Sequence, residues 1–228
     1  IGEDKVFDFS IGNPSVPAPD SVAETIRELA DMAPAQLHAY SAAQGLESTR
    51  AAIAENLNKR FGTHYTADNL YLTMGAAACL SACFTALIKP GDEIIVIAPY
   101  FPEYRIWIEF AGGVCVEVPA REDNFQIDLD ALEQAITEKT KAVVINTPNN
   151  PVGTVYTRET LEGLADVLVQ AEQRFGHDIY LISDEPYREL TYGVEVPWVP
   201  AIYPNTLVCY SWSKSLSLPG DRIGYVLV

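Results

Sequence analysis

Five short runs rich in Val, Ile and Tyr recur along this chain: "EIIVIA" (93–98), "VCVEV" (114–118), "AVVIN" (142–146), "IYLIS" (179–183) and "LVCYS" (207–211). Several are apolar without alternation, so as strands they have no face to offer water. Strands of that kind belong in parallel sheets covered on both sides. The segments between them have helical spacing. "DLDALEQAITEKT" sets Leu129, Leu132 and Ile136 on one stripe with Asp128 placed to cap it. "TRETLEGLADVLVQAEQRFG" runs from a Thr157 cap to Gly176 with Leu161, Leu164, Leu168 and Phe175 inward. Strands alternating with helices predict an α/β domain: a mostly parallel sheet sandwiched by helices. With 48% hydrophobic residues among 228, the chain can bury one large core.

Upstream lie two helices with no strand between them. "PDSVAETIRELADM" has the Ser21 to Glu24 spacing of a capping box, and "GLESTRAAIAENLNKRFG" carries Leu46, Ile53, Leu57 and Phe61 on one face and ends at Gly62. The Gly and Pro of "SIGNPSVPAPD" forbid regular structure, so the part up to about residue 45 reads as an arm or loop lying on the domain. The opening "IGEDKVFDF" lacks a charged region followed by an apolar one, and no apolar run is long enough to cross a bilayer. The last residues, "IGYVLV", stop inside an apolar run, and both ends of a longer parent chain are expected to lie outside this sequence.

A net charge of −16 makes the average surface repel nucleic acid and anionic membranes, so an anionic ligand needs a locally positive site. Cys79, Cys83, Cys115 and Cys209 all sit in apolar stretches and are too few for a disulfide framework; they read as buried thiols of a reducing cytoplasm. Cys79 and Cys83 are one helical turn apart, but no histidine lies near them in sequence, and no metal is expected.

Ligands of an open parallel sheet bind beyond the carboxyl ends of its strands, and here those ends are polar. After "YLT" come Gly75, Ala76 and Ala77, small residues opening a helix whose backbone N–H groups can approach an anion; alone, Gly75 reads equally as a tight turn. After "EIIVIA" comes "PYFPEY", where Phe101 and two tyrosines offer stacking or plain packing. "AVVIN" leads to "TPNNPVG", presenting Asn149 and Asn150 as turn residues or ligand contacts. Asp184, at the end of "IYLIS", is costly to bury unless a cation or hydrogen-bond donors meet it. "LVCYS" continues into Ser211, Ser213, Lys214 and Arg222, a solvated loop if read singly. Read together, an amine for carbonyls, an acid, a stacking ring and phosphate donors suit an aromatic aldehyde phosphate with a pyridine nitrogen, which is pyridoxal phosphate.

"TMGAAACL", "PYFPEY", "NTPNNPVGTVY", "SDEPYREL" and "SWSKSLSLPGDRIGY" stand in the order and near the spacing of fold-type I aminotransferases of classes I and II. The chain resembles that family over nearly its whole length. The resemblance implies that Lys214 forms the Schiff base with the cofactor and shuttles the substrate proton, that Asp184 pairs with the pyridine nitrogen, and that Tyr187 and Asn150 bond the ring hydroxyl oxygen. It implies Phe101 as the stacking ring, and Ser211, Arg222 and the N–H groups of Gly75, Ala76 and Ala77 as the phosphate site. "HAYSAAQG" is similar to the segment whose tyrosine, here Tyr40, reaches the neighbouring site of a homodimer, and "FSIGNP" resembles the substrate-closing loop, with Gly12 near the substrate carboxylate. Met74 and Ala76 depart from relatives that carry hydroxyl residues at this turn, which leaves the backbone to serve.

On this resemblance residues 1–45 are the arm and substrate-loop segment and 46–228 the cofactor-binding large domain. A C-terminal small domain, with the arginine that grips the substrate α-carboxylate, is then missing, and a piece ending at Val228 is expected to transaminate poorly. The expected function is an amino-acid aminotransferase acting on amino acids and 2-oxo acids. A carbon–sulfur lyase on the same cradle and a non-catalytic ligand-binding domain of the same fold are the alternatives. Retention of Lys214, Asp184 and Arg222 argues against the latter, and no G-x-G-x-x-G follows a strand to suggest a nucleotide site.

Overall fold

A computed structural model describes residues 5–6 and 12–228. The strands are β1 (Leu70–Thr73), β2 (Glu93–Ala98), β3 (Val114–Pro119), β4 (Thr140–Asn146), β5 (Tyr180–Asp184), β6 (Thr206–Ser211) and β7 (Gly224–Leu227); the five apolar runs become β2 to β6, and β1 and β7 are added to them. Among the described residues they form one 7-stranded sheet in the order β1-β7-β6-β5-β4-β2-β3. The pairs from β3 to β6 are parallel, while β7 runs against both β6 and β1. The helices are α1 (Asp20–Ala30), α2 (Pro34–Leu37), α3 (Glu47–Phe61), α4 (Ala76–Leu87), α5 (Glu103–Phe110), α6 (Leu129–Ala135), α7 (Arg158–Phe175) and α8 (Trp212–Ser215). Among the described residues no helix is long and apolar enough to cross a membrane.

The lack of alternation in the strands has its reason in the two layers of helix. Ile95 and Ile97 of β2 and Val143 and Ile145 of β4 pack with Leu161, Leu164 and Leu168 of α7 and Leu132 of α6. Their neighbours Ile94, Val96, Ala142 and Val144 pack on the other face with Cys79, Leu80 and Phe84 of α4 and Tyr104 and Ile108 of α5. A third cluster seats Ala54 and Leu57 of α3 against Leu70, Val208, Tyr225 and Leu227.

Helix ends follow local chemistry where the chain is free to do so. The Asp128 side chain accepts from the Ala131 N–H, and Thr157 from the Thr160 N–H. Gly62 and Gly176 close α3 and α7 in the left-handed conformation. Two expectations fail. Ser21 caps nothing, because Pro19, at φ −56°, takes the N-cap and places Ser21 inside the first turn. Leu46 is the N-cap of α3, not part of its inward stripe, and is 58% exposed. The Cys79 and Cys83 thiols turn toward the sheet, Cys79 to the Tyr225 carbonyl at 3.2 Å and Cys83 to the Cys209 sulfur at 3.8 Å.

Register lines up the strand ends that matter. Asn146 pairs with Asp184 and Asp184 with Cys209, while Gly224 lies between Ser211 and Thr73. At Gly224 a Cβ would stand 2.5 Å from the Tyr210 carbonyl oxygen and 2.9 Å from the Gly75 Cα, so only glycine lets the start of α4 sit on the sheet. Both obstacles are backbone and neither swings aside. Gly224→Ala is therefore expected to lower unfolding free energy by about 3 kcal/mol, at the upper end for overpacking, read as a lower urea midpoint. An unchanged midpoint would refute this close-packing account.

Candidate active site at the carboxyl edge of the sheet

Asp184 ends β5 and is 6% exposed. Its Oδ2 accepts a hydrogen bond from the Tyr104 hydroxyl at 2.5 Å, while Oδ1 is buried with no partner among the described residues. Burial pushes its carboxyl up to about 7; the Tyr104 hydroxyl pulls it back and the neighbouring Glu185 charge adds to the rise. An unsatisfied buried oxygen on an acid of this kind asks for a cationic or N–H donor.

Asn146, the last residue of β4, holds two neighbours together. Its side-chain N–H donates to the Asp184 carbonyl at 2.8 Å, and its carbonyl oxygen accepts from the Asn150 backbone N–H at 2.5 Å. The Asn150 amide lies close enough to the Tyr187 hydroxyl to pull its pKa down. Burial and the Asp184 charge raise the Tyr187 pKa, and this contact opposes them. Asn149 is turn chemistry: its Oδ1 accepts from the Val152 N–H at 3.1 Å. A cleft of about 370 Å³ is flanked by Asn150, Tyr187 and Tyr192.

The two tyrosines of "PYFPEY" part company. Tyr100 donates to Glu117 on β3, and Tyr104 turns inward to Asp184. Phe101 is partly buried and meets Tyr104 edge-on, ring centroids 5.8 Å apart.

Anion chemistry gathers at the start of α4. Gly75 is its N-cap at φ +83°, and no side chain caps the helix, so the N–H groups of the first turn point outward with the positive end of the dipole. The Arg222 guanidinium lies against this turn, bonding the Pro219 carbonyl at 3.1 Å and the Met74 carbonyl at 3.4 Å. Arg222 itself sits at φ +54°, a conformation costly for a side-chain residue and found where position matters more than comfort. Ser211 is 2% exposed and caps α8 by accepting from the Ser213 N–H at 3.1 Å, so its proton remains free to donate. Lys214 follows on α8, half-buried, its Nζ donating to the Gly12 carbonyl at 3.1 Å. Tyr40 is fully exposed, and among the described residues its side chain has no hydrogen bond to this edge.

Sequence reasoning missed Tyr104, Asn146 and the pair beneath the site. Glu185 and Arg188 are both buried and bridge at 2.5 Å. Ser183 donates to Glu185 at 2.8 Å, and the Arg188 guanidinium stacks on Trp198 and Tyr210 at 4.8 and 4.9 Å. "SDEPYREL" thus alternates residues facing the site with residues anchoring it, a pattern whose only signal in the sequence is two opposite charges three apart.

A buried acid with one idle oxygen ends β5, a lysine follows β6 and an arginine backs the helix terminus after β1, a set of strand-end groups that suits a pyridoxal phosphate protein of fold-type I. The chain belongs to the aminotransferase class I and II family, whose model matches residues 4–228; members of this family use pyridoxal phosphate. It is 37% identical over 219 residues to an aspartate/prephenate aminotransferase of Thermus thermophilus, covering 95% of this chain and 54% of that protein. An aspartate aminotransferase of Thermotoga maritima is 36% identical over 230 residues, covering 99% of this chain and 58% of the relative. A solved aminotransferase of Eubacterium rectale superposes with a TM-score of 0.96 at 59% identity, over all of this chain and 58% of that one. The chain spans little more than half the length of these relatives.

Proposed function

We propose that the protein is an amino-acid aminotransferase that moves an amino group from an amino acid to a 2-oxo acid, with pyridoxal phosphate held at the carboxyl edge of the sheet. The observation that carries this reading is the buried Oδ1 of Asp184, without a partner among the described residues, which matches the protonated ring nitrogen of that cofactor. Lys214 Nζ is the amine that attaches the cofactor covalently and then moves the proton at the substrate Cα. Phe101 stacks on the ring. Asn150 and Tyr187 bond its hydroxyl oxygen. The phosphate takes Ser211, Arg222 and the N–H groups of Gly75, Ala76 and Ala77. When bound, the cofactor supplies an electron sink for the charge left on Cα. The Gly12 carbonyl, which accepts from Lys214 Nζ, supports a place for Gly12 beside the substrate.

The exposed Tyr40 fits a homodimer in which it reaches the partner's phosphate site, and the four free cysteines fit a cytoplasmic protein. Residues 1–45 then act as arm and substrate loop, and 46–228 as the cofactor-binding domain. The relatives' names make aspartate the first donor to assay, and 2-oxoglutarate serves as the acceptor. Formation of glutamate at the rate the donor is consumed supports the reading. Release of pyruvate and ammonia from cysteine-type donors with no oxo-acid acceptor would replace it by a carbon–sulfur lyase.

The phosphate assignment has its own check. Gly75→Ala puts a Cβ 2.7 Å from the Arg222 guanidinium at a φ of +83° that alanine resists. Cofactor affinity is expected to fall about tenfold or more, the size of one lost charge-assisted hydrogen bond. Titration of the apoprotein with pyridoxal phosphate measures it, and unchanged affinity would move the phosphate elsewhere.

A further inference from the structure

Tyr104 reads in the sequence as one more aromatic of "PYFPEY", but it is 1% exposed and touches two groups of the proposed site at once. Its hydroxyl binds Asp184 Oδ2 at 2.5 Å. Its ring meets Phe101 at 5.8 Å and 76°, and Trp107 at 6.3 Å and 48°. A carboxyl group turns freely about its last torsion; one short hydrogen bond to Oδ2 stops that rotation and thereby aims Oδ1. The edge-on contact likewise fixes the plane of Phe101. We propose that Tyr104 is a positioning residue that sets both the direction of the free Asp184 oxygen and the face of Phe101, so that the ring nitrogen and the ring plane of the cofactor are located by one side chain. This rests on the reading of the site given above.

The other groups around Asp184 do not share this task. Glu185 is occupied by Ser183 and Arg188, and Asn146 binds the Asp184 main chain. Cys209 pairs with Asp184 across β5 and β6 as backbone, and Tyr187 feels the Asp184 charge without hydrogen-bonding its carboxyl oxygens among the described residues.

The test is Tyr104→Phe in the holoenzyme, which keeps the ring contacts and deletes the hydroxyl. Cofactor isotope-labelled at the ring nitrogen is followed by nuclear magnetic resonance against pH. In the wild type the nitrogen is expected to stay protonated through the working range. In the variant it is expected to lose its proton at lower pH, with kcat reduced about 10- to 100-fold, as for a lost hydrogen bond to a charged group, and KM little changed. Covalent attachment at Lys214 should persist in both. Identical nitrogen titrations in variant and wild type would overturn the proposal. Failure of the wild type to bind the cofactor at all would instead overturn the functional reading. Should Tyr104→Phe not fold, 3-fluorotyrosine in place of Tyr104 keeps the shape and strengthens the donor. It is expected to shift the carboxyl-carbon titration of Asp184 in the apoprotein downward, and no shift there would also overturn the proposal.

Discussion

Lys214→Ala is expected to abolish covalent attachment of pyridoxal phosphate and to lower transamination by about a thousandfold or more, since in the proposed function one side chain supplies both nucleophile and proton carrier. The geometry explains why nothing nearby can stand in. Lys214 sits on α8 directly after the buried strand β6, with Ser211 fixing the turn through its cap and Nζ directed at the Gly12 carbonyl. Among the described residues the other basic groups at this edge are committed: Arg222 to the start of α4 and Arg188 to Glu185 beneath it. The measurement pairs the absorbance band of the attached cofactor with steady-state turnover. A variant that kept both band and rate would remove Lys214 from the mechanism.

Asp184→Asn is expected to act in opposite directions on stability and on activity. The Asp184 carboxyl is raised from 3.8 to about 7, first by burial. The folded apoprotein therefore binds a proton there that the unfolded chain has released. Below about pH 4 both states are protonated and the group costs nothing. As pH rises toward 7 the cost grows, and above 7 it is complete, on the order of 4 kcal/mol. Asparagine is neutral throughout. The variant apoprotein should thus match the wild type in thermal midpoint at pH 4 and exceed it by several degrees at pH 8. Turnover of the holoenzyme should fall by about two orders of magnitude or more, because an amide oxygen carries no charge to keep the ring nitrogen protonated. Equal gains at both pH values would mean that burial of the charge is not what Asp184 costs the fold. Stability given up at a site to hold a reactive group ready is a common trade in enzymes.

Much of the fold was legible because it is local. Asp128 and Thr157 cap their helices by reaching three residues along the chain, and Gly62 and Gly176 end theirs because a left-handed residue is cheapest without a side chain. Ser21 failed for an equally local reason, a proline two residues before it that outranks a capping serine. Leu46 failed because the α3 stripe presumed one more residue of helix than the chain forms. At the site, residues announced by reactive chemistry, Lys214, Asp184 and Arg222, stood out in the sequence. Tyr104 and Asn146 did not, since tyrosine and asparagine serve packing and turns far more often. Asn149 and Asn150 are adjacent and alike, and only the turn hydrogen bond to Val152 separates their tasks.

The sequence by itself determined the unalternating strands, the helices between them, most of their caps and the reactive residues at the strand ends, because each depends on neighbours within a few positions. Only the tertiary structure decided which of those ends meet. Strand order sets β4, β5 and β6 side by side, register brings Asn146 level with Asp184, and the crossover through α5 carries Tyr104 to the acid 80 positions away. Such contacts are fixed by packing of the whole sheet between its helices, and spacing along the chain carries no record of them.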